Sequence, residues 1–494
     1  MPYTIRDTNK MSIYIYNSLS RKKEEFKPIK KNNVRMYVCG PTVYDESHIG
    51  HARGAFVFDV IRNYFRYKGF RVRYVRNVTD IDDKIIDKAR KMGGGSERDF
   101  KKLAREVADK YLKKYAEDMK TLGIGKPDFE PKATEHIKDM SRLIGVLLKK
   151  GCAYETGGNI YFRVKNFKDY GKLSHQSLEM MEAGARVFPD ENKEDLLDFA
   201  LWKKSKEDEP HWKSGQIEGR PGWHIECSAM SMKHLGENFD IHGGGIDLIF
   251  PHHENEIAQS ESYSGKRFVN YWMHNGLLTV NGQKMAKSLG NYLSISDFLK
   301  RYRDADILKI FFLSTHYRSP IDFTEENIIA AKTAKERFTI FFDKVKELAS
   351  KAPSPIKPVR SSEDYDKILE DVKEEFEKAM DDDFNTAIAL AAFFKAVTKG
   401  NSIIDSQEKD MNEKRMFLKT LVEHIKRQGS VLGLTFSEES ISDEFKIEIE
   451  TKLKARDEAR EKKNYRLADR IREEFHAQGV IIEDTKKGSK WRLK

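Results

Sequence analysis

Val34 to Cys39 is an apolar run that predicts a strand, and the turn Pro41-Thr42-Val43-Tyr44-Asp45-Glu46-Ser47 leads from it into a helix. That helix carries Val57, Val60, Ile61, Tyr64 and Phe65 at helical spacing and stops at Gly69, after which Val72 to Val78 alternates as a strand does. Together they predict a βαβ unit. Ser47 is the expected N-cap, so His48 and His51 share one face of the first turn beside Gly50, whose missing side chain lets a ligand reach the backbone. Free N–H groups, the helix dipole and two imidazoles make this turn an anion site.

Thr79-Asp80-Ile81-Asp82-Asp83-Lys84 follows at the carboxyl end of a strand, where open α/β sheets bind ligands. Gly93-Gly94-Gly95 breaks the chain, and Phe100, Leu103, Val107, Tyr111, Leu112, Tyr115 and Met119 then mark an amphipathic helix up to Leu122. From about Pro131 the pattern changes. A helix through Ile144 to Leu148 ends at Gly151, and Tyr154 and Ile160 to Val164 flank Gly157-Gly158 as a hairpin. Sheet-forming sequence returns at Asp198-Phe199-Ala200-Leu201-Trp202. Trp223 opens a helix ending near Gly236, and Phe239 to His242 predicts a strand that ends before Gly243-Gly244-Gly245-Ile246-Asp247. That glycine run either admits a flat ligand, with Asp247 accepting its hydrogen bonds, or is a flexible turn.

Gly282-Gln283-Lys284 reads as the entry to a loop that could close on a ligand and withdraw. Beyond about Ala330 the chain is helical and highly charged, with a proline-rich linker from Lys351 to Pro358. Asp383 is the expected cap of a helix whose Ala387, Ile388, Leu390, Ala391 and Phe394 mark the buried side. Past Glu438 a basic helix from Ile447 to Phe475 carries Lys452, Lys454, Arg456, Arg460, Arg466 and Arg470, and a strand at Val480 to Ile482 leads to Trp491-Arg492. Arginine beside aromatic residues suits unpaired bases.

At 494 residues the length implies about three or four domains. A net charge of +10 suits a polyanionic partner or a basic solvated surface. The mean hydropathy of −0.68 and the lack of a long uncharged apolar run argue against a membrane span, and the start of the chain has no signal-peptide pattern. A cytoplasmic protein is expected. Cys39, Cys152 and Cys227 are too few for a disulfide framework, leaving metal binding, catalysis or burial. Burial is the reading for Cys152. His252 and Glu256, four apart, can offer an imidazole and a carboxylate to one ion.

His48-Ile49-Gly50-His51 and, far downstream, Lys284-Met285-Ala286-Lys287-Ser288 resemble the HIGH and KMSKS signatures of class I aminoacyl-tRNA synthetases, with Ala286 in place of the usual first serine. Tyr37 to Asp45, Gly222 to Met230 and Phe250 to Glu256 sharpen the resemblance to the cysteinyl-tRNA synthetases, from about Ser12 to the C-terminus. The fold this implies is α/β: a Rossmann-type parallel-sheet catalytic domain with an insertion, followed by an α-helical bundle and a small C-terminal anticodon-binding domain. The expected divisions are an extension over 1–11, expected to be disordered, catalytic halves over 12–130 and 199–265, and a connective insertion over 131–198. A stem-contact region over 266–329, a bundle over 330–440 and an anticodon domain over 441–494 complete them.

The resemblance implies a ligase in which the cysteine carboxylate attacks the α-phosphorus of ATP, and the cysteinyl group then passes to the 3′ end of tRNA(Cys). It implies ATP contacts from His48, Gly50, His51, His242 and Lys287, with His48, His51, Lys284 and Lys287 catalytic and Mg²⁺ arriving with ATP. Thr79, Trp223 and Asp247 would hold L-cysteine. Cys39, Cys227, His252 and Glu256 would hold one zinc ion per chain. Arg460, Asp469, Asp484 and Trp491 would lie near the anticodon, and a monomer is expected. Size alone separates cysteine from serine by only ~1 to 3 kcal/mol, whereas zinc prefers a thiolate to a hydroxyl. Competing readings are a ligase joining activated cysteine to a small amine, which needs no basic C-terminal helix, and a non-catalytic tRNA-binding paralogue, which would be expected to lose signature residues.

Overall fold

The computed structural model describes residues 12–93, 100–184, 193–206, 209–350, 363–407, 410–436, 443–462, 464–477, 480–485 and 488–493. The expected N-terminal extension and the proline-rich linker lie outside these residues. Four parallel strands form the central sheet, in the order Val269–Asn275, Phe239–Gly245, Asn33–Val38, Arg71–Arg76. The helix Ile49–Tyr67 joins the last two, as its apolar period predicts. Chain connections leave the two middle strands in opposite directions. Their carboxyl ends, at Cys39 and Gly245, therefore flank a switch point, the crevice where sheets of this type bind ligands.

The glycine run is not a turn. The strand Phe239–Gly245 continues through all three glycines, each paired with Met273 to Asn275 of the next strand, and glycine suits position 243 because a side chain there would sit 2.2 Å from the Phe58 ring of the neighbouring helix. Phe199–Lys204, expected as the return of the catalytic sheet, joins a separate five-stranded antiparallel sheet with Ala153–Thr156, Asn159–Phe162, Ile217–Pro221 and Trp212–Ser214. The parallel sheet resumes only at Phe239. Gln283–Lys284, read as loop, is a short strand paired with Leu278–Val280, which in turn pairs with Ile321–Phe323.

Helices Glu325–Ser350, Glu363–Asp381, Thr386–Asp405 and Met411–Val431 form the bundle, whose core is continuous with one face of the central sheet. Asn385, not Asp383, caps Thr386–Asp405, accepting from the Ile388 N–H. The Asp383 carboxylate is buried and accepts from Tyr16 N (2.9 Å), the Tyr317 hydroxyl (2.8 Å) and Arg318 Nε (2.7 Å). The buried face of this helix is Ala389, Leu390, Ala392, Phe393, Ala396 and Val397, while Ile388 is exposed. By length and composition alone this helix could cross a membrane, but it carries Lys395 and Lys399, and 44% of that window is buried among its neighbours, as in the core helix of a bundle.

Residues 437–494 form a second compact unit. Its single expected helix is two, Asp443–Glu461 and Tyr465–Ala477, followed by the hairpin Val480–Thr485 and Gly488–Leu493. Ile449, Leu453, Ile471, Phe475, Val480 and Ile482 make its core.

Candidate active site

Cys39 directly follows the strand Asn33–Val38, and its N–H donates to Gly243 O of the adjacent strand (3.0 Å). Cys227 lies in the helix Trp223–Leu235, and His252 and Glu256 come from the turn Ile249–His253 and the helix Glu254–Ser264. One donor atom from each of the four falls within 4.8 Å of the others. The edges are Cys39 Sγ to Cys227 Sγ 3.7 Å, Cys39 Sγ to Glu256 Oε1 3.7 Å, and His252 Nε2 to Glu256 Oε1 3.1 Å. Bonds of about 2.0 to 2.3 Å from a tetrahedral zinc would span edges of roughly 3.3 to 3.8 Å; the two Cys39 edges fall in that span and the His252–Glu256 edge is slightly shorter, and two thiols, an imidazole and a carboxylate are a donor set that suits that ion.

Cys152, half-buried and apart from this group, packs against an apolar cluster.

The electrostatics of the cluster are those of shared protons. Burial, with Cys227 alongside, raises the Cys39 thiol well above its usual range. Burial would raise Cys227 too, but the Cys39 hydrogen bond and His252 bring it down to about 6. Burial opposes a charge on His252, yet Cys227 and Glu256 lift it to about 10. Glu256, likewise buried, is held at about 2 by His242 and His252.

Sequence reasoning missed a girdle of imidazoles around these four. His224 Nδ1 lies 2.9 Å from His252 Nδ1, and His253 Nε2 lies 3.3 Å from Cys39 Sγ. His253 continues through His274 (2.8 Å) to the Ser18 hydroxyl (2.8 Å). His242, expected at the nucleotide, is fully buried, stacks on Trp272 and lies 2.9 Å from Glu256 Oε2. Cys39, His242, His253 and Glu256 thus form a second possible ligand group. The available signal was adjacency, since His224 and His253 each lie close in sequence to a candidate ligand.

At the start of the helix Ile49–Tyr67 the cap is His48 rather than Ser47, whose carbonyl instead accepts from Ile295 N (3.1 Å). Gly50 N donates to His48 Nδ1 (3.0 Å) and His48 N donates to His51 Nδ1 (3.2 Å). Each Nδ1 is therefore an acceptor, which leaves the ring proton of each neutral imidazole on Nε2 as a donor. The rings stack at 3.8 Å between centroids. Desolvation at the turn lowers His48 to about 4, and it lowers His51 further, with His48 adding to the effect although His51 keeps an open edge. Gly50 serves the cap as well as any ligand, because a Cβ there would sit 2.8 Å from the His48 ring.

Lys287 reaches back to this turn, with Nζ 2.5 Å from Asp45 Oδ2 and 4.7 Å from the centre of the Tyr292 ring. Burial would raise the Asp45 carboxyl, but Lys287 and the Glu46 N–H outweigh it and hold it below the usual range. Lys284 and Asp247 are exposed. The buried Thr79 hydroxyl donates to Glu226 Oε2 (2.9 Å), and the half-open Trp223 indole lies 4.1 Å from the His252 ring.

Residues 25–333 match the family model described as the tRNA synthetases class I (C) catalytic domain. Residues 375–437 match a DALR domain, and 442–492 match the cysteinyl-tRNA ligase anticodon binding domain. The chain belongs to the cysteine–tRNA ligase family. Its relatives include the cysteine–tRNA ligases of Thermodesulfovibrio yellowstonii, 48% identical over 97% of this chain and 99% of that one, and of Thermococcus gammatolerans, 47% identical over 98% and 99%. The fold is also that of Mycobacterium tuberculosis methionyl-tRNA synthetase in complex with methionyl-adenylate, with a TM-score of 0.63, 15% identity, and coverage of 81% of this chain and 93% of that one. A putative arginyl-tRNA synthetase from Campylobacter jejuni is similar at a TM-score of 0.56 and 15% identity, covering 83% and 95%.

In the unit that matches the family's anticodon-binding model, Arg460 and Asp469 are exposed. Trp491 is half-buried against the small core, paired in register with Ile482. Arg456, expected on the basic face, is buried and donates to Ser489 Oγ (2.7 Å). Asp484 lies on the hairpin opposite Ser489.

Proposed function

We propose that this chain joins L-cysteine to tRNA(Cys) with ATP through a cysteinyl adenylate, working in the cytoplasm as a monomer. A class I synthetase catalytic domain with an anticodon-binding domain takes an amino acid, ATP and tRNA as substrates. The observation that carries the cysteine reading is the buried group of Cys39, Cys227, His252 and Glu256 at the sheet's switch point. These four would hold zinc, which when bound favours a substrate thiolate over a hydroxyl. His224, bonded to His252, would keep that ligand's orientation, since outer partners fix ligand rings.

His48 and His51 would donate their Nε2 hydrogens to the ATP phosphates at the positive end of the helix dipole; the first N–H groups, expected to be free, are taken, Ile49 N by Leu293 O (3.2 Å), Gly50 N by His48 Nδ1 (3.0 Å) and His51 N by His48 O (2.9 Å). Neutral donors stabilise developing negative charge without tying it into a permanent ion pair. Lys287, held by Asp45 near the same turn, would exchange that carboxylate for phosphate oxygens when ATP and its Mg²⁺ enter, with Lys284 on the neighbouring strand. Trp223 would wall the cysteine pocket, and Thr79 and Asp247 would orient the amino acid. The exposed Arg460 and Asp469, with Asp484 and Trp491, would meet the anticodon. The C-terminal unit would act as a domain of its own, whereas the bundle shares its core with the catalytic sheet.

ATP–pyrophosphate exchange with cysteine and serine in parallel, followed by charging of tRNA, tests this reading. Exchange with cysteine alone and formation of cysteinyl-tRNA are expected. Equal exchange with serine would remove the cluster from selection, and activation without charging would point to a small amine as acceptor.

A further inference from the structure

Arg53 lies two residues after His51, 1% exposed, inside the helix that carries both histidines. Its Nη1 donates to Gly276 O (2.7 Å) and Leu277 O (2.8 Å), and its Nη2 to Ser319 O (2.6 Å) and Tyr317 O (3.3 Å). Among the described residues no carboxylate pairs with it. Burial lowers its pKa to about 10, which still leaves it charged near neutral pH. Four carbonyls hold a buried cation, and both arms of the guanidinium fork are used.

Those carbonyls sit at one joint. Gly276-Leu277 links the last strand of the parallel sheet, Val269–Asn275, to Leu278–Val280, which pairs with the strand bearing Lys284. Tyr317 and Ser319 precede Ile321–Phe323, the other neighbour of Leu278–Val280. Gly276 N donates to Tyr317 O (2.9 Å) and Ile321 N donates to Leu277 O (2.9 Å), so the two segments are already laced together. A Cβ on Gly276 would lie 2.3 Å from Ser319 O. The joint is tightly packed, and Arg53, which grips both of its segments, comes from the helix of His48 and His51.

We infer that Arg53 is a positioning residue for amino-acid activation, fixing the base of the lysine-bearing hairpin against the histidine-bearing helix. The inference rests on the function proposed above. Lys284 and Lys287 are on one element, His48 and His51 on another, and both must meet one triphosphate. A misplacement of ~1 Å between such groups can cost about 100-fold in rate. A point charge cannot replace the fork, since lysine offers one nitrogen where the four carbonyls are met by two.

The test is Arg53→Lys and, from the other side of the joint, Gly276→Ala, each assayed well below its own melting temperature. In both, kcat for ATP–pyrophosphate exchange should fall about 10-fold or more, while zinc content and the KM for cysteine stay within about twofold of wild type. Amide exchange across residues 278–293 should quicken in both, and ATP should slow it less than in wild type. A merely structural role would lower the melting temperature and leave kcat at wild-type level once the protein is folded, and that outcome would overturn the inference. So would failure of Arg53→Lys to fold, which would place the joint in the folding core. Wild-type protein that does not exchange with cysteine would fail the functional reading instead, so the two failures are distinguishable.

Discussion

His48 and His51 are each fixed by a backbone N–H on Nδ1, and protonating either ring there means losing a cap bond. Their folded pKa values lie below the ~6.5 of an unfolded chain, so the unfolded state binds more protons as acid is added. Their contribution is therefore constant above about pH 6.5, and stability is lost as pH falls from there towards about 4. His48→Asn keeps a capping acceptor but does not titrate, so its urea midpoint should drop less between about pH 7 and about pH 5 than the wild-type midpoint does. An equal drop would place the titration elsewhere. If Lys287 acts on charge developing at the phosphates, as proposed, Lys287→Ala should cut pyrophosphate exchange by on the order of 100-fold with cysteine binding unchanged. An unchanged rate would take the lysine out of the mechanism. Cys227→Ser should lower zinc content and cysteine affinity together and spare ATP binding, as read by elemental analysis and by KM for each substrate. The residue types of the metal group were legible in the sequence, but which nitrogen of each histidine is free was not, because that depends on partners folded onto it.

The helix Ile49–Tyr67 packs on the strand Phe239–Gly245 with Phe58 directly over Gly243. Gly243→Ala puts a methyl into that contact and should destabilise the protein by about 1 to 3 kcal/mol in urea titration. Combining it with Phe58→Leu should recover part of that loss, and absence of any coupling would show that the helix yields instead. Helix and strand spans were largely readable from periodicity, yet the side of Thr386–Asp405 that is buried was not. Thr386-Ala387-Ile388-Ala389-Leu390-Ala391-Ala392-Phe393-Phe394 is apolar on several faces, and only the neighbouring helices choose among them.

Residues 437–494 have their own core, so the chain should survive without them. Deleting from Ser442 onward should leave cysteine activation intact and abolish most tRNA charging. Equal loss of both reactions would make the unit a structural part of the enzyme. Because Trp491 is half-buried, Trp491→Ala should lower the melting point of this unit as well as weaken tRNA binding, the latter by about 1 to 3 kcal/mol if its free face stacks on a base. The basic helix expected there supplied the charge correctly, but Arg456 is spent inside, holding Ser489.

By itself the sequence determined the order of most elements, the helix-start turn with its two histidines, the lysine pair and four residues able to hold a metal ion. These are local matters of period, capping and residue chemistry. Tertiary structure alone decided that Phe199–Lys204 joins a separate antiparallel sheet, that Asp383 anchors Tyr16 and Arg318 rather than a helix start, and that His242 lies against Glu256 in the candidate metal cluster. It also decided that Arg53 spans a joint more than two hundred residues away. The physical reason is the same in each case: a strand's edge, a buried carboxylate or a buried cation is satisfied by whatever partner the fold brings near, and that partner is distant in the chain.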